Sequence, residues 1–129
     1  MDYCFTRTIA GADLAGLKER ATAALAREGF GVLTEIDIQA TLKKKLDKDI
    51  APHVILGACN PRFADQVLGI DPRMSVMLPC NVTLRELPDG RHEVAAIDPV
   101  AAMGALGDPA IEPVATQVRE ALKRVVADL

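Results

Sequence analysis

Asp89-Gly90 constrains this chain more than any other feature. It lies between two strand-like segments, residues 74–87 and 92–97. An Asp-Gly pair between such runs is a two-residue hairpin signal, because glycine accepts the positive φ of a tight turn. Hairpin-linked strands must be antiparallel, so a purely parallel sheet is excluded. Pro79 interrupts the first segment and predicts a break or bulge there, since proline cannot donate to a ladder.

Other elements assemble around this hairpin. Residues 3–9 read as a first strand ending at Ala10-Gly11. Asp13 caps a helix to about Glu28, with an apolar stripe of Leu14, Leu17, Ala21, Ala24 and Leu25. Gly29 is placed to stop that helix. Residues 30–38 form a second strand, with Val32, Thr34, Ile36 and Ile38 on one face and Leu33, Glu35 and Asp37 on the other. Asp37 begins a short helix over 39–46. A strand over 54–59 follows, and Asn60-Pro61 has the order of a cap and a first-turn proline, opening a helix to about Leu68. Residues 98–109 read as a loop. Ile111, Ala115, Val118, Leu122, Val125 and Val126 keep helical period along a final helix over 111–128. The expected fold class is α+β: a mostly antiparallel sheet with helices packed on one face.

At 129 residues the expectation is a single domain over 1–129, large enough to form a core without a disulfide or metal. The chain has three Phe, one Tyr and no Trp, and its net charge is −3. Few aromatics and no basic excess argue against a nucleic-acid partner. Lys43, Lys44, Lys45 and Lys48 read as a solvated helix face near a C-terminal end, or as a patch for an anion or acidic partner. No apolar run approaches a membrane span. Three cysteines, with no signal-like leader before the first strand, point to a cytoplasmic protein with reduced thiols.

Chemistry concentrates in two repeated dipeptides, Cys59-Asn60 and Cys80-Asn81, each after an apolar run and beside a proline. Unbroken alternation places Cys80 with Val76, Leu78, Val82 and Leu84 on the buried side, and a bulge at Pro79 would reverse this phase. Cys59 ends a strand before a helix, where N-terminal amides can acidify a thiol. Two readings stay open. The thiols are small buried residues, or they share a small-ligand, soft-metal or redox site. Their spacing fits neither CxxC nor a four-ligand zinc pattern. Asn60 reads as a helix cap or a ligand contact, and Asn81, unusual in a strand, as a bulge partner or a ligand contact. Glu35 and Asp37 read as a polar face with a cap, or as a cation or acid-base pair. His53 and His92 read as exposed strand-end residues. No phosphate loop, nucleophile elbow or complete catalytic set is present, so neither an enzymatic reaction nor a cofactor is assigned.

Four ordered segments then converge: residues 29–37 (GFGVLTEID), 55–61 (ILGACNP), 78–82 (LPCNV) and 96–99 (AIDP). Together they resemble the bacterial and archaeal family called domain of unknown function three-hundred-and-two, over most of the chain up to Pro99. The resemblance implies a TATA-binding-protein-like α+β fold and a homodimer. It maps the family's recurrent positions onto Glu35, Asp37, Cys59, Asn60, Pro61, Pro79, Cys80 and Asn81. It implies no reaction. The functional expectations are therefore a small-ligand or thiol module built on the Cys-Asn dipeptides, or a non-catalytic dimeric interaction module.

Overall fold

The computed structural model describes residues 3–129. In chain order it contains β1 (Cys4–Ile9), α1 (Leu14–Arg27), β2 (Gly31–Asp37), α2 (Ile38–Leu46), β3 (His53–Cys59) and α3 (Pro61–Ile70). A 3-10 helix (Pro72–Met77), β4 (Cys80–Glu86), β5 (His92–Ile97), α4 (Pro99–Gly104) and α5 (Glu112–Ala127) follow. The five strands form one antiparallel sheet in the order β1-β5-β4-β3-β2. This is the α+β architecture expected from the sequence. Because β1 and β2 occupy opposite edges, α1 must cross one face of the sheet. There it packs beside α5.

The period-two pattern sorts the central strands. Val54, Leu56 and Ala58 of β3, Cys80, Val82 and Leu84 of β4, and Val94 and Ala96 of β5 are buried beneath the helices. Leu17, Ala21, Ala24 and Leu25 of α1 meet them, as do Val118, Leu122 and Val125 of α5. Alternate residues of the same strands face outward, leaving the second face bare. A smaller core caps one end of the sheet, where β3 ends and β4 begins. It joins Val67 of α3, Met74 of the 3-10 helix, Met103 of α4, and Ile111, Val114 and Ala115 at the start of α5.

Local chemistry sets the boundaries. Asp13 Oδ1 accepts the Gly16 N–H at 2.7 Å and caps α1. At the other end, the Phe30 N–H reaches the Leu25 carbonyl and the Gly29 N–H reaches that of Ala26, the paired bonds of a Schellman stop. Gly29 makes this possible at φ +84.

Several details differ from the sequence expectation. The hairpin loop has three residues, Pro88, Asp89 and Gly90, because Glu86 pairs with His92 and the Leu87 N–H reaches the Arg91 carbonyl. Gly90 supplies the left-handed position at φ +85. Residues 72–77 form a 3-10 helix instead of continuing β4, since Asp71 caps them through the Arg73 N–H and Pro72 starts the turn. Val76, expected inside, is therefore exposed. A bulge between Val32 and Thr34 reverses the phase of β2. Val32 packs on the core, while Thr34 and Ile36 lie on the bare face opposite Gly57 and Ile55. His92, expected outside, is only 6% exposed. It sits opposite Ile9 on the covered face, and its Nδ1 has no hydrogen-bond partner among the described residues. The segment read as a loop contains α4, whose cap is Asp98: its Oδ1 accepts the Val100 and Ala101 N–H groups.

Candidate functional site

Ala58 lies opposite Cys80 in the β3–β4 ladder, so Cys59 is one residue beyond the partner of Cys80. Both cysteines line the same small cavity, between the end of the sheet and α3, α4 and α5. Its volume is about 20 Å³. Phe30, Phe63, Val67 and Met103 form much of the wall. Cys59 is half-buried and Cys80 is buried, both as free thiols.

Asn60 borders this cavity with its side chain already engaged. Its Oδ1 accepts the Arg62 N–H at 3.1 Å and the Phe63 N–H at 3.5 Å, capping α3. Its Nδ2 donates to the Glu28 carbonyl at 3.1 Å. One amide thus satisfies orphan groups at the start of α3 and the end of α1. A Cβ on Gly29 would come within 3.0 Å of Asn60 Nδ2, so the glycine also makes room for this contact.

The remaining candidates lie elsewhere. Asn81 is exposed and sits opposite Gly57 on the bare face. It borders a shallow depression of about 540 Å³ with Cys4, Thr6, His53, Thr83 and Arg85. Glu35 and Asp37 share the helix-side face, opposite Leu56 and Val54, three and five residues back along β3 from Cys59. Glu35 Oε1 pairs with Lys18 Nζ at 2.7 Å. Asp37 Oδ1 accepts the Ala40 N–H at 2.9 Å and caps α2. The fold therefore unites Cys59, Cys80 and Asn60, and separates them from Asn81, Glu35 and Asp37.

The sequence profile of the family described as Domain of unknown function DUF302 matches residues 5–129. The chain belongs to this family. It is also similar to a solved protein, described as the crystal structure of uncharacterized conserved protein DUF302 from Bacillus stearothermophilus. The two are 26% identical with a TM-score of 0.92, over 99% of this chain and 98% of the other. No curated protein matches the chain.

What this DUF302 chain can do at the cavity follows from the surroundings of its sulfurs. Burial, and secondarily the nearby Cys59, push the Cys80 thiol up to about 11. Near neutrality Cys80 is a protonated thiol and a poor nucleophile. Among the described residues, no three or more His, Cys, Asp or Glu side chains gather as a metal cluster. Nor is any helix there long and apolar enough to cross a membrane. Met103 and Phe63 were missing from the sequence candidates. A signal for Met103 did exist: Asp98-Pro99 has the same cap-proline order as Asn60-Pro61, which marked α3.

Proposed function

We propose that this protein binds a small thiophilic species through Cys59 and Cys80, in a cytoplasmic setting that keeps both thiols reduced. The observation that carries this reading is the shared cavity: two free thiols on neighbouring strands border one apolar space. Its volume of about 20 Å³ suits a single atom or ion. Organic ligands usually occupy pockets of several hundred Å³. Half-buried Cys59 offers the way in, while Asn60 holds the chain at Cys59 between two helix ends. Titration of the reduced protein with silver(I) tests this. One tightly bound equivalent, lost in both Cys59→Ser and Cys80→Ser, is the expected result. Binding that survives in both variants overturns it.

A second reading, an interaction module acting as a homodimer, rests on a different region. From residue 33 to residue 49 no side chain is buried. Leu33 and Leu46 are each 69% exposed and Ile36 is 45% exposed. This arm includes edge strand β2, whose outer ladder groups are open to another strand. Its charges balance: Glu35, Asp37, Asp47 and Asp49 against Lys43, Lys44, Lys45 and Lys48. A second copy meets it with complementary charge under a two-fold axis. Sedimentation of the wild type as a dimer, and of Leu33→Lys/Ile36→Lys as a folded monomer, is expected. A monomeric wild type at tens of micromolar removes this reading.

A further inference from the structure

The geometry points to a three-sulfur site for a soft monovalent metal ion of the copper(I) class, formed by Cys59, Cys80 and the thioether of Met103. This rests on the thiophilic reading above and names its ion. Met103 is 8% exposed and borders the cavity that the two cysteines line. It comes from α4, an element distant in sequence from both thiols, so three separate segments bring a sulfur-bearing residue to the wall of one cavity.

The rest of the wall decides which ion fits. Apart from Asn60, the other lining side chains are apolar: Phe30, Phe63, Val67, Leu78 and their small neighbours. Asn60 is already committed to α3 and to the Glu28 carbonyl. Among the described residues, no imidazole or carboxylate borders the space. Zinc sites usually take four nitrogen, thiolate or oxygen ligands in a tetrahedron, and a thioether is a poor substitute. Soft thiolate and thioether ligands select copper(I). Binding releases the two thiol protons to solvent and changes no oxidation state. Cap bonds from Asp98 to the Val100 and Ala101 N–H groups hold the first turn of α4, which carries Met103.

Met103 also has an ordinary role as a flexible core filler, so the test must separate sulfur from volume. Reduced protein is titrated anaerobically with copper(I) against a chromophoric copper(I) chelator, in parallel with zinc(II). Met103→Leu keeps the volume and removes the sulfur. Met74→Leu, in the same small core but outside the cavity wall, is the control. The wild type should bind one copper(I) in preference to zinc. Met103→Leu should weaken copper(I) at least tenfold while Met74→Leu leaves it unchanged. X-ray absorption of the loaded wild type should show three copper–sulfur bonds, falling to two in Met103→Leu. If Met103→Leu matches the wild type while both cysteine variants lose the metal, the thiol reading stands and the three-sulfur site is refuted. Zinc binding as strong as copper(I) refutes the choice of ion. Copper binding unaffected by Cys59→Ser and Cys80→Ser refutes both readings.

Discussion

Cys59-Asn60 and Cys80-Asn81 are the same dipeptide, yet the fold uses them in opposite ways. In the first, the cysteine is half-buried and the asparagine is tied to three backbone groups. In the second, the cysteine is buried and the asparagine faces solvent. Strand phase accounts for the second pair: within β4 successive side chains alternate, so a buried Cys80 requires an outward Asn81. The first pair escapes that alternation because β3 ends at Cys59 and Asn60 already belongs to a helix start. A repeated dipeptide therefore does not imply a repeated site. The two cysteines converge at the cavity, and the two asparagines do not.

The contrast can be broken where the two pairs are stitched together. Gly57 precedes Cys59 by two residues and lies opposite Asn81. A Cβ there would run into Thr34 Oγ1 and come within 2.9 Å of Pro79 Cγ. Gly57→Ala should cost about 3 kcal/mol, the upper part of the overpacking range, because the proline ring cannot rotate away. Urea denaturation measures this, and a loss below about 1 kcal/mol would show that the strands tolerate separation.

Asn60→Ala comes next. Losing the cap costs about 1 kcal/mol, and leaving the part-buried Glu28 carbonyl unpaired costs about 1 more. The same denaturation series should show about 2 kcal/mol in total, and recovery by Asn60→Asp should be incomplete, since Asp caps the helix but cannot donate to Glu28.

Alkaline pH sharpens the difference between the cysteines. Folded Cys80 holds its proton up to about 11, against 9.0 for an unperturbed thiol. The unfolded chain loses that proton first. This stabilising contribution is complete below pH 9 and disappears as pH rises through 11, amounting to about 1 kcal/mol lost by pH 10. The slope should be shallower in Cys80→Ala and largely persist in Cys59→Ala; equal slopes in the wild type and Cys80→Ala would count against the burial account. The smallest effect belongs to Asn81→Ala, at under about 0.5 kcal/mol, because it is exposed and no side-chain hydrogen bond ties it down among the described residues. A larger loss would mean that the bare face carries structural work.

Much of the fold was legible because its signals are local. The hairpin at Asp89-Gly90, the stripe of α5 and the caps at Asp13, Asp37 and Asn60 all depend on neighbours a few residues away. The family resemblance is confirmed across residues 5–129. Where reading along the chain failed, one local signal outweighed another or a distant contact intervened. Asp71-Pro72 and Asp98-Pro99 start helical turns as Asn60-Pro61 does, but apolar alternation after Asp71 and the Ala, Gly and Pro content after Asp98 obscured them. The bulge in β2 has no signature of its own and shows only in the pairing with β3. Burial of His92 depends on β1 lying beside β5, a pairing of first strand with last.

The sequence by itself determined the strands, the antiparallel hairpin, the helices α1, α2, α3 and α5, and the caps at Asp13, Asp37 and Asn60. These arise from backbone geometry and short-range hydrogen bonds, which act within a few residues. Only the tertiary structure decided that Cys59, Cys80 and Met103 border one cavity while Asn81, Glu35 and Asp37 lie elsewhere. Those relations depend on strand register and on how α3, α4 and α5 close one end of the sheet. Packing of distant segments sets that geometry, and the repeated Cys-Asn pattern carries no record of it.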